Sequence, residues 1–547
     1  MTRLLTICAG IVILLSSGVA IFAAGGLVAK YGWQPYASVH LFADKQLRAI
    51  KAKVKGAPSN ESIVTTNLYP VRVSTSQTSL EKVGDHVAFA QLGSGYLVAK
   101  RGGELFSVEH SLEPILERQA IETRVPTNKE RFSGDNSERD PLAVVQFGVK
   151  DILIRERPDG VDLYASHSSW DAERRCATLR LSKLSTQMGK LRSGSADTNW
   201  TTVFETEPCL ELNEELDGLG GDFTFLQAGG RLAFISENEL LLTVGDHYQD
   251  GLAGPDLPQD PESHIGKTVW IDLESGGSRV YSLGHRNPQG LYVDHEGTVW
   301  STEHGPRGGD ELNIIVDGAN YGWPKVSYGL QYPGLSWPAP HWGNHDAFTL
   351  PLYAWVPSIA TCNVIRLEGF SKFPQWTGDL IVGTLANRAV FRVRVRDNRV
   401  VLTERIEIGN RIRDLDQAKD GSLLLLTDDG DLITLRPLDS DDPGLIDDPV
   451  LRGQLLWAQC AQCHVLEHGS GHGKGPNLSG ILGSRVARFD DFNYSSALKS
   501  LDTRWTEENL DAFLRSPQEF APGNQMQFVG SQNPEDRAAI IAYLRSQ

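Results

Sequence analysis

The chain has 547 residues, a formal charge of −17 and a pI near 5.3. That length exceeds one ordinary hydrophobic core and implies two or more domains. The acidic balance repels nucleic-acid phosphates and excludes nucleic acid as a partner. Hydrophobic residues at 40% and charged residues at 22% are those of a folded protein, while 54 Gly and 27 Pro favour a turn-rich β architecture.

At the N-terminus no charge falls between Arg3 and Lys30. A spanning helix needs about 20 apolar residues, and this run is long enough. It lacks a small-residue cleavage site after the apolar stretch, so residues 4–29 are expected to be an uncleaved transmembrane anchor. The alternative is a cleaved signal that leaves a soluble chain. Lys45, Arg48, Lys51, Lys53 and Lys55 follow the span, so local charge leaves its orientation open. Residues 30–60 read as a connecting segment.

From 61 to 437 the chain alternates short apolar runs with Asp, Asn or Gly turns, as in NELLLTVGD, GTVWSTEHG and GSLLLLTDDGDLITL. No long amphipathic helix intervenes. Many strands without a strict short repeat predict a mainly β domain, a β-propeller of about six blades, over a sandwich array or a β-helix. Cys176 and Cys209 flank a hairpin-like stretch. In an oxidising compartment they pair; otherwise they are two buried thiols, and both readings stand. Four motifs stand out: Gly284-His285-Arg286-Asn287-Pro288, Glu303-His304-Gly305-Pro306-Arg307-Gly308-Gly309-Asp310-Glu311, Asn320-Tyr321-Gly322-Trp323-Pro324 and Arg411-Ile412-Arg413-Asp414. The carboxylates and turn carbonyls of the second make an oxygen-rich set suited to Ca²⁺, against a reading as a solvated loop. Arg411 and Arg413 alternate on a strand and face one side, where arginine pairs grip carboxylates or simply form salt bridges.

An acidic, Pro-containing linker at 438–447 leads to a C-terminal domain at 448–547. Cys460-Ala461-Gln462-Cys463-His464 is the C-x-x-C-H spacing of covalent haem c attachment, with two thiols one helical turn apart and a histidine to reach the iron. Met526, one of only 3 methionines, lies in a Pro-Gly loop and supplies the second axial donor.

The segments GQLLWAQCAQCH, GKGPNLSGILGSR, FNYSSALK and RWTEENLDAFLRSPQEFAPGNQMQFVG resemble a class I cytochrome c, a small all-α fold. The resemblance implies haem c bound covalently by Cys460 and Cys463, with His464 and Met526 as axial ligands and Pro476 buttressing the histidine. It also places Arg485, Tyr494 and Trp505 near the propionates. Such haem is attached on the outer face of the bacterial inner membrane, which implies periplasmic domains on an inner-membrane anchor. The four central motifs resemble the glucose/sorbosone dehydrogenase family, six-bladed propellers that use pyrroloquinoline quinone (PQQ) beside Ca²⁺. By that resemblance Arg286, Asn287, Arg411 and Arg413 contact PQQ, while Gly305, Pro306, Asp310 and Glu311 serve calcium.

Two positions depart from the family. Gln227 stands where the family base is a histidine, and an amide cannot take a proton near neutral pH. Ala386 stands where a PQQ-binding lysine is expected, with Arg388 two residues on. No catalytic base is therefore assigned, and His247, His264 and His304 are the candidates, His304 being best placed. Two functional readings follow. In one, an anchored dehydrogenase oxidises an aldose or related alcohol with PQQ and passes electrons through its haem to a respiratory acceptor. In the other, a catalytically degenerate propeller is a binding scaffold for a relay cytochrome.

Overall fold

A hairpin whose two strands are both apolar along their length must be covered on both faces. Leu423–Thr427 (LLLLT) and Glu239–Val244 (ELLLTV) are of this kind, and nearly every side chain in them is buried. The chain meets the requirement by stacking six small, mainly antiparallel sheets face to face around an axis. The computed structural model describes residues 61–547 apart from 67–69, 79–85, 110–114, 117, 138–140, 196, 212–226, 252–254, 331–343, 439–448, 462, 467–468 and 527. The expected anchor, the connecting segment and nearly all of the linker lie outside the described residues. Among the described residues, no helix is long and apolar enough to cross a membrane.

Blade 1 begins with inner strand His86–Leu92, blade 2 with Val149–Arg157, blade 3 with Gly229–Phe234, blade 4 with Pro288–Val293, blade 5 with Thr361–Arg366 and blade 6 with Ile412–Gln417. Each inner strand packs on the next, and the sixth returns to the first, closing a ring. Blade 6 is built from both ends of the propeller. Its inner three strands, Ile412–Gln417, Leu423–Thr427 and Leu432–Pro437, are continued outward by Pro70–Thr78 and Glu61–Thr65. Val71 and Val73 pair opposite Pro437 and Leu435 and are buried with Leu423, Leu425 and Ile433. Burial of each valine contributes about 1.5–3 kcal/mol to closure. Cys176 and Cys209 are joined as a disulfide at the outer edge of blade 2.

One side chain ties the ring together at its centre. Arg231 of blade 3 is 4% exposed and ion-paired with Asp151 of blade 2 (3.2 Å) and Asp414 of blade 6 (3.1 Å). It donates to the Gln289 carbonyl of blade 4 (2.8 Å) and the Arg413 carbonyl of blade 6 (2.9 Å). Asp414 in turn accepts from the Phe89 N–H of blade 1 (3.2 Å) and from Asn363 of blade 5 (2.8 Å). All six blades thus meet in one charged cluster.

The C-terminal domain is helical. Pro449–Cys460 crosses Pro534–Ser546, and Glu507–Arg515 completes a core of Ile481, Trp505, Phe513, Ile540 and Ile541. The six-bladed propeller and the small helical domain are as the sequence implied.

Removing the central guanidinium leaves two buried carboxylates against each other. Arg231→Met is expected to cost about 3–5 kcal/mol, read as a lower denaturant midpoint by tryptophan fluorescence. An unchanged midpoint would show that the cluster is not what holds the blades.

Candidate functional site

In an antiparallel hairpin the start of the first strand and the end of the second lie at the same edge. The inner-strand starts and second-strand ends of all six blades therefore share one face. Lys150, Gln227, Arg286, Asn287, Arg411 and Arg413 come to it from strand starts, and Asp246, Glu303, His304 and Asp428 from strand ends.

Arg286 is the hub of this face. Its Nη1 donates to the carbonyls of His304 (3.1 Å) and Gly305 (2.7 Å), its guanidinium lies 5.4 Å from the centre of the Trp323 ring, and its N–H donates to Glu303 (3.0 Å). In the orientation its neighbours dictate, the Gln227 amide donates to Asp246 and accepts from Arg286 Nη2 (2.7 Å). Asp246 is fully buried and also accepts from Trp323 Nε1 (2.8 Å) and the Tyr248 N–H (3.0 Å). Burial pushes its carboxyl up, to about 8, with Arg286 opposing. Gln227 thus bridges an acid and a guanidinium, and offers no proton acceptor of its own.

The histidine candidates separate. His264 accepts the Glu207 N–H on Nδ1 (2.9 Å) and packs edge-on to Phe204, a structural post. His247 is buried, and burial and then Lys150 press its imidazole down to about 3. His304 donates from Nε2 to the Thr361 carbonyl of blade 5, and burial lowers its pKa. It is within electrostatic range of both Arg286 and Arg413, so the two predicted PQQ-contacting motifs converge.

Arg411 and Arg413 both grip Asp428. The Arg411 Nε lies 2.8 Å from Oδ2 and the Arg413 Nε 2.9 Å from Oδ1. Burial, which alone raises this carboxyl, is outweighed by Arg413 and then Arg411, and the group is held down at about 2. One carboxylate against two guanidiniums leaves the pair net positive. Arg411 also reaches the Leu385 carbonyl (3.4 Å), next to Ala386. Arg388 occupies a left-handed turn (φ 51°) whose carbonyl accepts the N–H groups of Ile408 and Gly409. Asn287 is buried, its Oδ1 taking the Gln289 amide (2.7 Å) and the Gly229 N–H (3.4 Å).

The expected calcium set is divided by the structure. Asp310 accepts from the N–H groups of Gly305 (3.1 Å), Ile359 (2.9 Å) and Ala360 (2.6 Å) and from the Ser358 hydroxyl. With its lone pairs so engaged it organises the backbone, and together with buried Pro306 it lies outside the lining of the cavity beside Arg286. Gly305 and Glu311 line that cavity, with Glu303, which sequence reasoning missed. Burial and then Glu303 drive the Glu311 carboxyl well above the usual range, and Asn313 Nδ2 donates to both acids (2.9 Å to Glu303 and 3.2 Å to Glu311). Among the described residues no group of three or more His, Cys, Asp or Glu is arranged to hold a metal.

In the helical domain Cys460 ends a helix and Cys463 follows one turn later, with the His464 N–H donating to the Cys460 carbonyl (2.9 Å). His464 Nδ1 lies 2.8 Å from the Pro476 carbonyl and must donate to it, which leaves Nε2 unprotonated for iron. Gly475 is required beneath the ring, because a Cβ there would stand 2.4 Å from His464 Cε1. Met526 packs against the core, its N–H held by Asn524 (2.9 Å). This donor set fits haem c. Trp505 stands in the core against Phe513 and Phe520, while Arg485 is exposed and paired with Asp502.

A charged, arginine-rich propeller face joined in one chain to a covalent haem site defines a propeller–cytochrome fusion. The chain belongs to the Glucose / Sorbosone dehydrogenase family, whose model matches residues 86–434, and residues 450–547 match the Cytochrome c family. It is 34% identical over 267 residues to the uncharacterized protein slr1608 of Synechocystis, and 33% identical over 261 residues to the aldose sugar dehydrogenase YliI of Escherichia coli. Each match covers 44% of this chain and spans 61% and 65%, respectively, of those relatives. The C-terminal part is 44% identical over 95 residues to cytochrome c of Chlamydomonas reinhardtii, 17% of this chain and 85% of that protein. The soluble aldose sugar dehydrogenase of Escherichia coli in its apo-form superposes with a TM-score of 0.54 at 26% identity, covering 67% of this chain and 100% of that one.

Two outcomes follow. The depressed Asp428 carboxyl contributes about 2 kcal/mol above pH 4 that is lost as pH falls toward 2. Asp428→Asn is thus expected to be less stable by at least about that amount at pH 7, with the gap to wild type closing across that acid window in pH-dependent unfolding. Met526→His replaces sulfur with imidazole and lowers the haem reduction potential in a redox titration. An unmoved potential would remove Met526 from the iron.

Proposed function

We propose that the chain is a PQQ- and calcium-dependent dehydrogenase of an aldose or related alcohol, anchored to the inner membrane with its domains in the periplasm. It passes electrons to its own haem c and on to a respiratory acceptor. The observation that carries the reading is the convergence of Arg286, Arg411 and Arg413 on the face of a propeller fused to a haem-binding domain. PQQ is a planar tricarboxylate, and a net-positive arginine pair pre-set by Asp428 fits its acid groups. When bound, the quinone would supply the acceptor for a hydride, which carries both electrons of the oxidation.

The chain's own residues orient and neutralise. Arg286, fixed by two carbonyls, presents its remaining N–H groups to an oxygen on which charge develops. Glu303 and Glu311, both lining the cavity beside Arg286, would be the side chains that hold calcium there, with Asp310 kept to backbone support. The apolar run at 4–29, the haem attachment motif and the Cys176–Cys209 disulfide together support the anchored periplasmic setting. One observation favours the scaffold reading instead: Gln227 at the base position is locked between Asp246 and Arg286.

The haem reports the outcome. Oxidised protein loaded with PQQ and Ca²⁺ and given a panel of aldoses is expected to show haem reduction that needs quinone and sugar and that a calcium chelator abolishes. Failure of PQQ to bind, with no haem reduction by any sugar, would leave the scaffold reading.

A further inference from the structure

Two features are left unused by the roles above: the motif Asn320–Pro324 and the buried Lys267. Lys267 opens the third strand of blade 3, Lys267–Asp272, and its side chain is fully buried. Its Nζ donates to the carbonyls of Leu257 (2.7 Å), Pro258 (3.0 Å) and Ile265 (2.7 Å). Carbonyl oxygens only accept, so these three bonds need the three N–H groups of the charged ammonium. Burial lowers the pKa of the group to about 7, with Asp260 and then Asp256 opposing, and the ammonium is the main form below that pH. The chain closes tightly around it. Gly266 sits at φ 69°, and a Cβ there would stand 2.7 Å from the Pro258 Cβ. Without the ammonium, three carbonyls in a water-free interior would have lost their donor, and the turn that carries two of them would have to open to find others.

That turn, Leu257–Gln259, touches two of the site motifs. The Pro258 carbonyl also accepts the Gly284 N–H (3.1 Å), two residues before Arg286. The Gln259 amide donates to the Trp323 carbonyl (2.7 Å), and its Oε1 accepts from Asn320 Nδ2 (2.9 Å). The Trp323 N–H donates to the Gly284 carbonyl (3.0 Å), which closes the loop between the motifs. So seated, the Trp323 ring lies against the Arg286 guanidinium and its Nε1 on Asp246. Gly284, Arg286 and Trp323 all line the cavity. We propose that Lys267 is a positioning residue of this site: its ammonium fixes the Leu257–Gln259 turn, the turn seats Trp323, and Trp323 holds Arg286 to the cavity. What Arg286 then meets, a quinone or substrate oxygen, rests on the dehydrogenase reading above. The bonds that place it do not.

Two measurements on the full chain at pH 6 test this. The first needs no activity. The chain is labelled with 5-fluorotryptophan, and the Trp323 resonance is identified by ¹⁹F NMR as the one lost in Trp323→Phe. It is expected to shift in Lys267→Met, which keeps the length of the side chain without its charge, and in Gln259→Leu, which breaks the same link nearer the ring. A folded Lys267→Met with the Trp323 resonance in place would overturn the proposal. Should that variant fail to fold, an unmoved resonance in Gln259→Leu would overturn it instead. The second measurement is sugar-driven haem reduction in protein loaded with PQQ and Ca²⁺, well below the thermal midpoint of each variant. Each single variant is expected to fall about 10²-fold. The double variant is expected to fall no further than the worse single one, because both changes break one link. Losses that multiply in the double variant would show two independent effects and overturn the chain from Lys267 to Trp323. A wild type that binds PQQ yet oxidises no sugar would refute the dehydrogenase reading, and the ¹⁹F resonance would still decide whether Lys267 seats Trp323.

Discussion

The propeller depends on a single buried guanidinium. Arg231 bonds Asp151, Asp414, the Gln289 carbonyl and the Arg413 carbonyl, and Asp414 adds Phe89 and Asn363, so that the inner strands of all six blades are referred to one point. Burying such charges is expensive unless each is paired and hydrogen-bonded. Here one cation meets two acids. Burial raises the Asp151 carboxyl above its usual range, Arg231 opposes the rise and Asp414 adds to it. The arrangement fixes where each inner strand starts, and the strand starts carry the site.

Charge is sorted along the inner strands in consequence. At Arg411–Ile412–Arg413–Asp414, alternation sends Asp414 to the central cluster while Arg411 and Arg413 turn to Asp428. Lys150 and Asp151 divide in the same way. Arg411 and Arg413 are thus kept on the site face while Asp151 and Asp414 are gathered at the centre around Arg231.

Hairpin patterns such as NELLLTVGD and GSLLLLTDD announced a blade architecture, and C-x-x-C-H announced the haem site, because both signals are local. The arginine motifs were legible for the same reason. Asp246 and Asp428 were not singled out, although both stand just after the apolar second strand of a hairpin, a position that in this topology opens on the site face. Asp310 was read as a calcium ligand because sequence shows a carboxylate next to Gly-Gly and hides the three backbone N–H groups and the hydroxyl that occupy it. Arg231 was invisible as a hub, since its partners come from blades up to 183 residues away. The closure of blade 6 by Pro70–Thr78 was equally beyond local pattern.

On the proposed reading, joining the two domains in one chain makes electron transfer between them intramolecular, at an effective concentration on the order of millimolar for a short linker. The most direct measurement is stopped-flow reduction of the haem by an aldose in PQQ- and Ca²⁺-loaded protein over a tenfold range of protein concentration. Intramolecular transfer predicts a first-order rate constant that does not change with concentration. A rate constant that rises in proportion to it would mean that the haem of each chain is reduced by other molecules, and would contradict the account.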